Sequence, residues 1–247
     1  MSDIPLWSTP ADCSARPSGK AVDWLPEVWD ILVGKLLDPA DDYPCHFGTQ
    51  GEQRGHNSYT VVDPRHPGEY GVDQLGRTLL EFRERAWSGV KRQTLIAFIG
   101  PPEPEADLAA HGARLWDLLN ELSALDRAPW PADVPKDTSD PRWQWCFGGE
   151  PWFIFAGSPG YRQRRSRNFG PCLTVIFQTR RVFEGLGGST VAGKAGKKRI
   201  RERLLDYDEV PPHPYLGDPL LSSAHKWRQY VLPDDQSVDS SPCPFAH

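Results

Sequence analysis

The sequence predicts an α+β fold, a central mixed or antiparallel sheet with flanking helices. Three observations predict it: apolar residues recur every three or four positions in separate stretches, aromatic and β-branched runs cluster mid-chain, and no internal repeat is evident. At 247 residues the chain suits one large domain that buries roughly 70 to 75% of its extended surface. We read residues 1–21 as a loosely ordered arm broken by prolines, 22–232 as a single domain, and 233–247 as a polar tail.

From Val22 to Asp38 the positions Trp24, Leu25, Val28, Trp29, Leu32, Leu36 and Leu37 share one helical face, and Pro39 ends the helix. The glycine-rich YPCHFGTQGEQRG then reads as a turn region leading to a strand at Ser58–Val62. Two helices follow, at about Gln74–Trp87 behind Asp73 as N-cap, and at about Ala106–Leu125. Between them TLIAFIG, closed by Gly100 and Pro101, is a buried strand. Asp126–Pro141 holds four prolines and is a surface loop. Trp143–Phe147, Trp152–Phe155 and Cys172–Phe177 read as central strands. A helical turn around Val182–Leu186, a basic helix at about Lys197–Leu205, a proline-rich turn through His213 and a helix at Ser222–Tyr230 complete the order.

Composition narrows function. Ser158–Arg203 carries twelve Lys and Arg against Glu184 and Glu202, which leaves sixteen basic and thirty-one acidic residues elsewhere. A basic block inside an acidic chain favours a local anion site over general polyanion binding, so a nucleotide or nucleic-acid binder using residues 162–203 ranks behind it. Five cysteines without CxxC spacing indicate neither a disulfide framework nor a zinc knuckle, and a reducing cytoplasm fits them. The N-terminus has no signal-peptide pattern and no window is apolar enough to span a membrane.

Between two apolar strand-like runs stand Arg162, Arg164, Arg165 and Arg167, guanidinium groups suited to bidentate binding of carboxylate or phosphate. The run GSTVAGKA, Gly188–Ala195, nearly matches a phosphate-binding loop, but Ala195 stands where the magnesium-ligating hydroxyl belongs. No HExxH, Cys/His quartet or nucleophile elbow occurs, which argues against protein-only metal sites and hydrolase chemistry. A haem would need only one proximal His, Cys or Tyr, with arginines for its propionates.

Ordered segments YPCHFGTQGEQRG, WFIFAGSPGYRQRRSRNFGPCLTVIFQTRRVFE, KKRIRERLLDYDEVPPHPYLG, KWRQYVLPDD and the closing CPF resemble the YqcI/YcgG family from about Tyr43 to Phe245. The resemblance implies a haem-dependent oxygenase with haem b that hydroxylates a guanidine or amine nitrogen, as in natural-product pathways. It implies that Arg164, Ser166, Arg167 and Asn168 clamp the propionates. The family pattern carries a histidine where this chain has Tyr161, so Tyr161 or His213 is the expected axial ligand, with Cys45 and Cys243 as thiolate alternatives. Glu150, Glu184, Asp206 and Asp208 are the carboxylates near enough in sequence to meet such a substrate. The expected partner is a small guanidine or amine, with no nucleic acid and no membrane; a homodimer is allowed and the electron donor is unspecified. A haem-binding sensor or carrier without turnover is the alternative.

Overall fold

The computed structural model describes residues 7–8, 22–185, 190–216 and 225–246. Its strands are β1 (Trp7–Ser8), β2 (Asn57–Val62), β3 (Thr94–Ile99), β4 (Cys146–Phe147), β5 (Glu150–Gly157) and β6 (Leu173–Thr179). They form one sheet in the order β1-β2-β3-β6-β5-β4. β2 and β3 run parallel, with Asn57 opposite Thr94 and Val62 opposite Ile99, and every other pairing is antiparallel. The sheet is therefore mixed and the fold α+β, as the pattern of elements predicts.

Helices α1 (Leu25–Leu37), α2 (His46–Gln53), α3 (Pro67–Tyr70), α4 (Val72–Ser88), α5 (Leu108–Leu125) and α6 (Val191–Tyr207) surround it. α1 has Pro26 in its first turn and buries Leu25, Val28, Trp29, Leu32 and Leu36, the expected stripe. α5 starts where the Asp107 carboxylate accepts from the Ala110 amide. α4 is capped by extended Gly71, and Asp73 lies inside its first turn, paired with Arg77.

Three other expectations change. The glycine-rich segment contains α2: a Cβ on Gly51 would lie 2.4 Å from the Asn57 carboxamide, so close packing there overrides poor helix propensity. Only two residues of Trp143–Phe147 join the ladder, while Trp143 and Trp145 fill the core and Trp145 Nε1 donates to Ser123 and Leu119. Of the expected Ser222–Tyr230 helix, residues 222–224 lie outside the described residues and Lys226–Gln229 is a single 3₁₀ turn. In the expected arm, Trp7 and Ser8 pair with Tyr59 and Ser58, and the remaining residues to position 21 lie outside the described residues.

Strand alternation divides the interior in two. Trp152, Ile154, Ala156, Leu173, Val175 and Phe177 point to the α4 and α5 side and are fully buried. On the other side Ile96, Phe98 and Ile176 meet α1 and Tyr43. The C-terminal residues lie against the body: Phe245 packs on Trp143, and the Ala246 amide donates to Asn120.

Candidate functional site

On the α1 side of the sheet a cavity of about 300 Å³ is enclosed by α1, the start of α2, the sheet, the β5–β6 loop and α6. Phe153 and Phe155 alternate with the core residues of β5, so they face this space and remain half-buried. α6 contributes Gly193, Gly196, Lys197, Ile200 and Leu204 at three- and four-residue spacing, so one helical face covers the opening. A Cβ on Gly196 would meet nothing within 4 Å. The walls are chiefly apolar and aromatic, a surface suited to a flat ligand.

The wall also carries charge. Among the described residues Arg92, Arg164, Arg167 and Lys197 are its cations and Asp208 is its one carboxylate. Among residues able to ligate iron, Cys45 and Tyr43 line it. Tyr43 spends its hydroxyl on the Ser166 carbonyl at 3.0 Å. Cys45 precedes the first turn of α2; burial pushes its thiol up, while the Gly48 and Phe47 amides and Arg203 pull it back down. Among the described residues no group of three or more His, Cys, Asp and Glu could hold a metal ion by itself.

The four arginines of the loop do not act as one receptor. Arg162 is exposed, and Arg165 pairs with Asp41 and lies over the Tyr207 ring. Arg164 is buried and spends its guanidinium on three carbonyls, Pro233 at 2.7 Å, Pro211 at 3.0 Å and Asp235 at 2.5 Å. Beside it the Asp234 carboxylate accepts from the amides of Arg162, Gln163 and Arg164. The loop is thus held by the segment after Leu232, which accounts for a rigid shape that loop composition alone would not give.

Arg167 differs. It is 9% exposed, lies 4.6 Å from the Phe155 ring centroid, and makes only long bonds to Ala156 O and Gln229 O, 3.4 and 3.3 Å. Gly157 makes room for this arrangement, since a Cβ there would sit 2.1 Å from Phe169 and 2.9 Å from the Arg167 carbonyl. Ser166 lines the cavity and donates its hydroxyl to Asp208. Asn168 donates instead to the Tyr161 carbonyl at 3.1 Å and does not line the cavity.

Neither expected axial ligand faces this space. Tyr161 is buried and donates its hydroxyl to Leu232 O at 2.9 Å, and burial raises its pKa despite Arg167 and Arg164 nearby. His213 is buried with both ring nitrogens engaged, Nδ1 accepting from the Tyr215 amide at 3.1 Å and Nε2 facing Ser237 O at 2.9 Å. Burial lowers its pKa, opposed by the Ser237 carbonyl. Cys243 packs in the opposite core. Of the four, Cys45 alone lines the cavity.

The other carboxylates separate as clearly. Glu184 pairs with Lys91 at the surface, and Glu150 meets the Arg180 amide and Trp87 at the far end of β5. Asp206 is exposed on α6. In the near-match to a phosphate loop, Gly188 and Ser189 lie outside the described residues, and the Thr190 side chain accepts from Gly193 N as the cap of α6.

One group had no signal in the sequence beyond a turn-rich motif. Glu52 is fully buried; its Oε2 accepts from Asn57 at 2.9 Å and from the Tyr59 hydroxyl, and its Oε1 has no hydrogen-bond partner. Asn57 connects this carboxylate to the cavity wall.

The YqcI/YcgG family profile matches residues 33–246, from the last turns of α1 to the C-terminal segment, and so takes in most of this cavity. The chain belongs to the YqcI/YcgG family. It is 35% identical over 229 residues to "Uncharacterized protein YcgG" of Bacillus subtilis, covering 91% of this chain and 89% of that one. It is 34% identical to "Uncharacterized protein YqcI" of the same organism, over 90% of this chain and 87% of that one. It is 30% identical to the "Putative N(omega)-hydroxy-L-arginine synthase DcsA" of Streptomyces lavendulae, over 90% of this chain and 84% of that one. No solved structure matches. Among the described residues no helix is long and apolar enough to cross a membrane.

Proposed function

We propose that this chain is a haem-dependent oxygenase that hydroxylates a nitrogen of a guanidine or amine within the α6-covered cavity. One observation carries the reading: a single cavity joins aromatic walls, cations and one iron-competent thiol. The name of the Streptomyces relative points to the same N-oxygenation, with an arginine-like substrate.

The residues fit a haem. Phe153, Phe155 and Phe169 offer faces for a flat macrocycle, and Arg167, Arg92 and Lys197 would hold its propionates. Cys45 would hold the iron, because metal coordination deprotonates a thiol that burial otherwise keeps neutral. Bound in this way the haem supplies dioxygen activation, to which a thiolate contributes electron density. The overall reaction places one oxygen atom of dioxygen into an N–H bond. The other leaves as water, with two electrons and two protons from an external reductant. The chain's own residues bind and orient the substrate nitrogen and exclude water, and α6 shields that space.

Protein produced with hemin is expected to show a Soret band. Cys45→Ser is expected to change the ferrous-CO spectrum from that of a thiolate complex and to weaken haem retention. Supplied with arginine, dioxygen and reductant, the loaded protein is expected to release an N-hydroxylated product. Colourless protein that ignores added hemin overturns the reading.

A further inference from the structure

Asp208 and Arg167 stand on one cavity wall, 8% and 9% exposed, and among the described residues neither has an ion-pair partner within 4 Å. Buried charge is costly unless something compensates it. Asp208 accepts from the Ser166 amide through Oδ1 at 2.7 Å and from the Ser166 hydroxyl through Oδ2 at 2.8 Å. Each carboxylate oxygen therefore retains a second lone pair, and two fixed donors set the carboxylate's orientation. Burial raises the pKa of Asp208, while the Ser166 donors, Arg164 and Arg167 oppose that rise. Arg164 cannot serve as its partner, being fixed to three carbonyls.

We propose that Asp208 is the anchor for the positively charged nitrogen group of the substrate, guanidinium or ammonium, and so sets the preference for cations over neutral isosteres. This rests on the cavity being the substrate site of the proposed oxygenase. The geometry favours it over the neighbouring acids, since among the described residues Asp208 is the one carboxylate on the wall and its free lone pairs need donors. Arg167 stays available to an anion in the same cavity, whether a propionate or the substrate's own carboxylate.

Asp208→Asn keeps an acceptor for Ser166 and removes the charge. Calorimetric titrations would compare arginine, 4-guanidinobutyrate and citrulline against wild type and variant, each with and without haem. Loss of a buried charge-assisted contact is expected to weaken the cationic ligands about 30-fold or more. Weakening of 4-guanidinobutyrate but not citrulline assigns the guanidinium to Asp208; the converse assigns the α-ammonium. A change under about twofold for all three overturns the proposal. An anchor also differs from a structural acid in its effect on the ligand-free fold. The melting temperature of Asp208→Asn is expected to equal or exceed that of wild type at neutral pH, because an uncompensated buried charge is removed. A clear fall shows that Asp208 also supports the fold, and the double variant Asp208→Ala with Ser166→Ala, which removes the orphaned hydroxyl as well, then decides: retained cation preference in it overturns the proposal, and lost cation preference supports it. Haem uptake is read separately from the Soret band: a protein that takes no haem but loses its cation preference in the variant disproves the oxygenase reading and keeps the anchor.

Discussion

The two faces of the sheet are built from the same strands with opposite outcomes. Toward α4 and α5, β5 presents Trp152, Ile154 and Ala156 to a closed core in which Trp145 stacks on Phe147 and Trp152 meets Phe177 edge-on. Toward α6 the same strand presents Phe153 and Phe155 to open space. The first face fills its volume with aromatic side chains; the second covers its volume with a helix whose cavity positions include two glycines. A protein gains stability from the first kind of face and can place a ligand only in the second.

The largest effect expected from breaking this contrast comes from Trp152→Ala, at about 3 to 5 kcal/mol of stability lost, against about 1.5 kcal/mol or less for Phe155→Ala, whose ring already borders a void. Urea denaturation of both variants tests it, and equal losses would mean that the two faces pack alike. Next come the two buried arginines. Arg164→Ala orphans carbonyls of the C-terminal segment and is expected to cost about 2 to 3 kcal/mol and to open residues beyond Leu232 to limited proteolysis. Arg167→Ala is expected to leave the fold within about 1 kcal/mol of wild type while weakening haem retention. The smallest effect sharpens the comparison through sign. Gly196→Leu should stabilise the ligand-free protein by about 0.5 to 1 kcal/mol, since it replaces a helical glycine and points into open space, yet the same side chain should reduce hemin uptake.

Much of the fold was legible because periodicity records burial. The α1 and α5 stripes and the strands β3, β5 and β6 follow directly from apolar spacing. α2 was not, because a glycine-rich stretch that signals a turn was used here to bring a helix against Asn57 through Gly51. Arg164, Arg167 and Lys197 of the basic block line the cavity. The block did not distinguish its members, because Arg162, Arg164, Arg165 and Arg167 are one residue type in one loop with four separate environments. The same limit applies to Tyr161, His213 and Cys45: each could ligate iron by its chemistry, and only distance to a shared cavity separates them.

By itself the sequence determined the element types, the mixed α and β composition, the local excess of positive charge and the family, since these depend on residue kind and order along the chain. The tertiary structure decided which charges are spent and which are free. Asp234 and Arg164 are consumed in joining the loop to the C-terminal segment, whereas Arg167 and Asp208, separated from Arg164 by few residues or many, share a wall. That allocation depends on which groups lie within hydrogen-bond reach after folding, a property of three-dimensional distance that no spacing along the chain encodes.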